Sequence, residues 1–189
     1  MRTKGLLLPI AAPSGTGKTT ICRRLLAADE RFVFSVSATT RPPRKTERHG
    51  VDYYFVSRSE FEKYIRQGQL VEYEEVFGNY YGTLRRVVEK VLAEGRILLL
   101  DIDVKGALTI KRLYPEQTIA VFLLPPSQSE LLRRLKGRGT DDEQSIARRK
   151  ARIPAELRLG EQFDYQIVND ELDQTVAQIL QIAEEYIQT

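Results

Sequence analysis

The stretch Ala12-Pro13-Ser14-Gly15-Thr16-Gly17-Lys18-Thr19 is the part of this chain whose residue types and spacing most clearly imply chemistry. An apolar run, Leu6–Ala11, precedes it, and an apolar helical pattern from Ile21 to Leu26 follows. A strand, a loop of small residues ending Gly-Lys-Thr and then a helix is the build of a phosphate cradle, because small residues let successive backbone N–H groups converge on one anion at a helix N-terminus. In such a cradle Lys18 reaches the β- and γ-phosphates of a nucleoside triphosphate, and Thr19 turns its hydroxyl toward Mg²⁺. The strict form of the pattern opens with Gly, where this chain has Ala12. The competing reading is a Gly-rich turn that binds nothing.

Four further groups carry charge or hydroxyls in patterns suited to phosphate or its magnesium. Ser37-Ala38-Thr39-Thr40-Arg41-Pro42-Pro43-Arg44 sets Arg41 and Arg44 on a turn stiffened by proline, where two guanidinium groups can grip one phosphate. The stretches Gly50–Phe55 and Gly78–Thr83 add Tyr53, Tyr54, Tyr80 and Tyr81, tyrosines whose hydroxyls can bond phosphate oxygens or whose rings can simply pack. At the end of the apolar run Ile97–Ile102, Asp101 and Asp103 are spaced i, i+2, so on a continuing strand they would share one side. Asp101 could then reach a magnesium shell, or the pair could be a strand-end turn or a helix cap. Arginines between Leu131 and Arg149 suit either a lid that closes over a triphosphate or an ordinary basic helix face.

Elements must hold these groups in place. Leu6–Ala11, Ile97–Ile102, Thr118–Leu124 and Gln166–Val168 read as buried strands, with Phe32–Val36 as a further candidate. Val87, Val88, Val91 and Leu92, and again Leu172, Val176, Ile179, Leu180, Ala183 and Ile187, have helical spacing. Strands alternating with helices predict an α/β fold with a parallel sheet covered on both faces. Pro9 is out of place in that plan, since proline cannot donate to a ladder in a central strand. Residues 37–86 and 126–158 interrupt the alternation, as insertions that build substrate sites do.

Composition bounds the rest. A chain of 189 residues is the size of one domain, and its 29 basic and 26 acidic residues give a net charge of +3, suited to a nucleotide without requiring nucleic acid. The single cysteine, Cys22, excludes an intrachain disulfide, and with His49 the only histidine, a Cys/His metal site is excluded as well. The opening residues do not read as a signal peptide and no run approaches a membrane span, so the expected compartment is the cytoplasm and no membrane partner is expected.

Taken together and in this order, the Ser-x-Thr-Thr-Arg-x-Pro-Arg, Gly-x-Asp-Tyr-x-Phe, Gly-Asn-Tyr-Tyr-Gly-Thr and Leu-Asp-Ile-Asp stretches resemble those of guanylate kinases, from about Gly5 to the C-terminal helix. The resemblance implies a three-layer P-loop fold with a core (1–36, 87–125 and 159–189), a GMP-binding domain (37–86) and a lid (126–158). It implies that Ala12, Pro13, Ser14, Gly15, Thr16, Gly17, Lys18, Thr19 and Thr20 hold ATP, with Mg²⁺ at Thr19 and, through water, at Asp101. Arg41, Arg44, Tyr53 and Tyr81 would hold the phosphate of GMP, and Ser37, Glu72, Thr83 and Asp103 would read guanine. Lys18 with Arg134, Arg138 and Arg149 would be catalytic. A carboxylate such as Glu72 can accept both N1–H and N2–H of guanine, whereas adenine offers it a lone pair. The nucleophile would be a phosphate oxygen already largely dianionic at neutral pH, its second pKa near ~6, so no general base is needed. The resemblance implies ATP and GMP as small-molecule partners, and a monomer or homodimer.

Four positions depart from the family pattern: Ala12, Thr46 before Glu47, Lys150, and Pro154 inside the expected lid helix. An interior proline costs about 3 kcal/mol or kinks the helix. Three other readings compete. A non-catalytic guanylate-kinase-like binding module would have lost Lys18, Thr19 and the lid arginines. A kinase for another phosphorylated acceptor would have no use for Ser37, Glu72 and Thr83 together. A generic P-loop hydrolase would not need the Arg41–Arg44 clamp.

Overall fold

The computed structural model describes residues 4–76, 78–127, 129–131, 133 and 143–188, with the backbone alone for 143–146 and 148. Its centre is a five-stranded sheet in the order β2 (Phe32–Phe34), β7 (Ile97–Asp101), β1 (Leu6–Ala11), β8 (Val121–Leu124) and β9 (Tyr165–Val168), with every pairing parallel. All six residues of β1 are buried, as a strand covered on both faces requires. Leu6, Leu8 and Ile10 pack toward α1 (Lys18–Ala28) and the C-terminal helix α6 (Leu172–Gln188), through Ile21, Leu25, Val176 and Ile179. Leu7 and Ala11 point the other way, into a cluster with Val88 and Val91 of α3 (Arg85–Ala93) and Ala107 and Ile110 of α4 (Val104–Leu113). Two helical layers around a parallel sheet make the fold a three-layer α/β sandwich, as the alternation of apolar runs predicts.

Pro9 is accommodated by an interrupted ladder. It pairs in register with Leu100 of β7, while on the β8 side the ladder runs from an isolated bridge at Leu7–Thr118 to Ile10–Val121 and Ala11–Phe122. Leu7 accepts from Ile119 on that side, and alternation turns Pro9 the same way, so its missing N–H falls where no pair is required.

A second sheet, in the order β4 (Tyr54–Phe55), β3 (Ala38–Thr39), β6 (Asn79–Leu84) and β5 (Leu70–Val76), lies within residues 37–86. Phe61 of α2 (Arg58–Arg66) is fully buried and closes it with Ala38, Leu70 and Leu84. Ser57 caps α2, its hydroxyl accepting the Glu60 N–H at 3.2 Å. Residues 143–160 form α5, which runs through Pro154 as one helix. Pro154 and Lys150 are both exposed, so the departure from apolar character at position 150 places the ammonium in water. Cys22 is buried in the core, and burial, reinforced by Asp101, pushes its thiol up to about 12.

Candidate active site

The phosphate loop joins β1 to α1, and two observations explain its glycines. Gly15 and Gly17 both have φ of 98°, a conformation that L side chains rarely adopt. A Cβ on Gly17 would also lie 2.9 Å from Nδ2 of Asn169, which donates to the Thr16 carbonyl at 2.6 Å. Thr16 folds back on the loop, its hydroxyl donating to the Pro13 carbonyl at 2.8 Å. The loop leads directly into the N-terminus of α1, the kind of helix end that receives an anion.

Lys18 lies across the loop mouth. Its ammonium is 2.8 Å from Asp101 Oδ1 and donates to the Ile102 carbonyl at 2.6 Å. Thr19 donates to Asp101 Oδ2 at 3.3 Å. A hydroxyl and a carboxylate at the end of a buried strand are hard oxygen donors, the type that suits Mg²⁺ shared with nucleotide phosphates. Among the described residues, no group of three or more His, Cys, Asp or Glu is placed to hold a metal by itself.

Asp101 and Asp103 divide the roles that their spacing left open. Asp101 ends β7 and faces Lys18. Asp103 has left the strand and caps α4, accepting the Gly106 N–H at 2.7 Å. The expectation that both sit on one face of a strand is corrected on that point: the chain turns into a helix after Asp101, and Asp103 reaches the cleft from its cap position.

On the second sheet, one register irregularity sets the direction of Glu72. Leu70 pairs with Leu84, but Glu72 pairs with Thr83, so β5 carries an extra residue between them. Val71 goes to the core and Glu72 turns to the cleft. Thr83 Oγ1 donates to Glu72 Oε1 at 2.5 Å, and both side chains are buried. Burial pushes the Glu72 carboxyl up to about 7 against the opposing effect of Thr83, with nearby Asp103 adding to the rise.

Arg41 and Arg44 are organised by a residue that the sequence reading left without a role. Glu47 accepts from Arg41 Nη1 at 2.9 Å and Nη2 at 2.8 Å, and from the Arg44 backbone N–H at 2.7 Å. The turn after Arg44 closes normally despite Thr46, with Glu47 N–H donating to the Arg44 carbonyl at 3.1 Å. Tyr53 packs under Arg41, the ring centroid 5.4 Å from Cζ, and meets Tyr81 edge-on at 6.0 Å. The planar fork of Arg41 is thus matched to the Glu47 carboxylate, beside the backbone of Arg44.

One cleft of about 540 Å³ gathers these pieces. It is lined by residues 12–19 of the phosphate loop, by Asp101 and Asp103, by Arg149, and by Ser37, Arg41, Arg44, Tyr53, Glu72 and Tyr81. Thr83 acts from behind the lining through Glu72, whereas Thr20 is exposed on the first turn of α1 and is outside the lining. Arg149 of α5 donates to Ser14 Oγ at 2.8 Å, bringing the expected lid onto the phosphate loop. Arg134 and Arg138 lie outside the described residues. Arg152 and Glu156 also line the cleft from α5, 3.6 Å apart, and burial raises the Glu156 carboxyl. Their i, i+4 spacing was the available sequence signal.

A phosphate loop on a parallel sheet, facing across one cleft a second sheet rich in arginine, tyrosine and buried carboxylate, defines a P-loop kinase. A family model described as guanylate kinase matches residues 4–186. The guanylate kinase of Symbiobacterium thermophilum is 48% identical over 178 residues, covering 94% of this chain and 84% of that protein. That of Chlorobium luteolum is 45% identical over 185 residues, covering 98% and 94%. The crystal structure of guanylate kinase from Anaplasma phagocytophilum superposes with a TM-score of 0.81 at 34% identity, covering all of this chain and 89% of the other. Shikimate kinase from Bacteroides thetaiotaomicron, at 13% identity and a TM-score of 0.50, shares the fold. This chain belongs to the guanylate kinase family.

Proposed function

We propose that this protein transfers the γ-phosphoryl group of ATP to GMP, and to dGMP, giving ADP and GDP or dGDP. The observation that carries the reading is that Lys18 of the phosphate loop and Glu72 of the second sheet line one cleft. ATP is held by the loop, and GMP by the second sheet, so the acceptor phosphate meets the γ-phosphate between them. Its phosphate lies by Arg41, Arg44, Tyr53 and Tyr81, and its base by Ser37, Glu72, Thr83 and Asp103. Residues 37–86 are the acceptor domain, 126–158 the lid, and the remainder the core.

The acceptor oxygen is dianionic at neutral pH and needs no base, so catalysis is positioning plus charge neutralisation. Lys18 exchanges its contacts with Asp101 and Ile102 for phosphate oxygens. Arg149 is held at the loop by Ser14, where charge develops. Thr19, and Asp101 through water, would hold Mg²⁺ with the triphosphate, and the ion would supply neutralisation of phosphate charge. The protein works in the cytoplasm as a monomer or homodimer, with nucleotides as its partners. Among the described residues no helix is long and apolar enough to cross a membrane.

ADP formation from ATP and Mg²⁺ with GMP, dGMP, AMP, CMP and UMP as separate acceptors tests the reading. Turnover with GMP and little with AMP is expected. Equal turnover with all acceptors would remove the guanine assignment, and no turnover by protein that still binds GMP would favour a binding module.

A further inference from the structure

We propose that Gly106 is a positioning residue for acceptor specificity: its missing side chain leaves the space in which Glu72 holds its carboxylate against the first turn of α4. The proposal rests on the reading of Glu72 as the guanine acceptor.

A Cβ built on Gly106 would lie 2.8 Å from Glu72 Oε2, 3.3 Å from its Cδ and 3.4 Å from Asp103 Oδ1. The first of these is closer than such atoms approach, so a methyl group there forces something to move. Those three atoms all belong to side chains, and the nearest is the far end of Glu72. Gly106 is not needed for its backbone conformation, since it lies inside α4 and its φ is not positive. In a helix interior alanine is the better residue. Glycine at this position is therefore costly to the helix, and the space it opens is filled by one oxygen of one carboxylate.

The backbone at Gly106 acts on the same group of residues. Its N–H donates to Asp103 Oδ1 at 2.7 Å, which fixes the second carboxylate of the base site, while Thr83 fixes Glu72 from the other side at 2.5 Å. Glu72 is thus held between a hydroxyl on β6 and a bare Cα on α4. A methyl group on that Cα turns the carboxylate away from the line on which it accepts two guanine N–H groups, while leaving Lys18, Arg41 and the phosphate loop where they are.

The test compares Gly106→Ala and Glu72→Gln with the parent in the full chain, by steady-state kinetics with GMP and IMP at saturating ATP and by thermal melting. Gly106→Ala is expected to raise the KM for GMP by about tenfold or more, as loss of a charge-assisted buried bond does. It should narrow the preference for GMP over IMP, which lacks the N2 amine, with kcat and the KM for ATP held within about twofold. Its melting temperature should equal or exceed that of the parent. Parent-like kinetics in Gly106→Ala beside a raised GMP KM in Glu72→Gln would overturn the role of Gly106 and leave the guanine reading standing. Parent-like kinetics in Glu72→Gln would overturn the reading of Glu72 itself. A marked fall in melting temperature for Gly106→Ala would show that the space serves the fold, and would overturn the proposal.

Discussion

The carboxylate of Glu47 spans both guanidinium nitrogens of Arg41, at 2.8 and 2.9 Å, in a bidentate pair that is largely shielded from solvent. The same carboxylate accepts the backbone N–H of Arg44, so a single side chain sets the spacing of the two arginines expected to meet the acceptor phosphate. The Glu47 carboxyl is lowered by its bonds to Arg41, and Arg41 is raised in turn. Glu47→Ala should therefore loosen the acceptor site without touching the donor site. Losing charge-assisted bonds of this kind is worth about 1.5–3 kcal/mol, or tenfold and more in KM for GMP. Steady-state kinetics that vary GMP and ATP separately would check this, with the KM for ATP unchanged and Glu47→Gln milder than Glu47→Ala.

Glu72 predicts a pH dependence of base recognition. Its carboxyl is pushed up to about 7 by burial, so near neutrality the unliganded protein holds a proton where guanine requires an acceptor. Binding of GMP then releases that proton, and affinity rises with pH through about 7. Stability runs the opposite way. Between the ordinary carboxylate pKa and about 7 the folded state binds more protons than the unfolded one at this group, so Glu72 makes the protein less stable as pH rises through that window. Calorimetric titration of GMP at pH 6 and pH 8 should show about tenfold tighter binding at the higher pH. Proton release should be read from buffers of different ionisation enthalpy. Glu72→Gln should reduce the release to what the GMP phosphate itself contributes.

The parts of this molecule legible in sequence are those set by local pattern. The run Leu6–Ala11 reads as a buried strand despite Pro9, and the glycines, Lys18 and Thr19 behind it read as a phosphate cradle. The apolar spacing from Leu172 to Ile187 likewise gave α6, although Ile182, also buried, was not in the expected face. What local pattern does not carry is a choice made by distant residues. Asp103 at i+2 from Asp101 reads as a strand neighbour until the helix it caps is known. Asn169, 153 residues from Thr16, becomes part of the phosphate loop only when β9 is placed in the sheet. Glu47 was visible three residues after Arg44, but a lone acidic residue in a basic turn does not announce which arginine it binds.

Asn169 supplies a test of the donor site. Its amide holds the Thr16 carbonyl at 2.6 Å from beneath, in a buried position, and it occupies the space that a side chain at Gly17 would need. Asn169→Ala leaves that carbonyl without its donor and opens a gap under the loop. The cost of an orphaned buried acceptor is about 1–3 kcal/mol, expected to fall on ATP binding as well as on stability. Kinetics should show the KM for ATP raised with that for GMP unchanged, the reverse of Glu47→Ala. A KM for GMP that rose equally would mean that the two halves of the cleft are not independently organised.

Gly160 ends α5 directly against the aromatic pair of Phe122 and Phe163, whose centroids are 5.3 Å apart. A Cβ there would lie 2.4 Å from Phe122 Cε1 and 2.5 Å from Cδ1, inside the volume of a ring that is itself fully buried on β8. Unlike the carboxylate end of Glu72, this ring cannot swing clear, because the core surrounds it. Gly160→Ala should therefore destabilise the protein by about 1–3 kcal/mol through overpacking, despite the better helix propensity of alanine. Urea unfolding would measure the loss as a lower midpoint at unchanged slope. Phe122→Leu combined with Gly160→Ala should recover part of it, because a smaller side chain on β8 makes room for the methyl group. If the double variant is no more stable than Gly160→Ala alone, the close approach of α5 to β8 is not what requires glycine at this position.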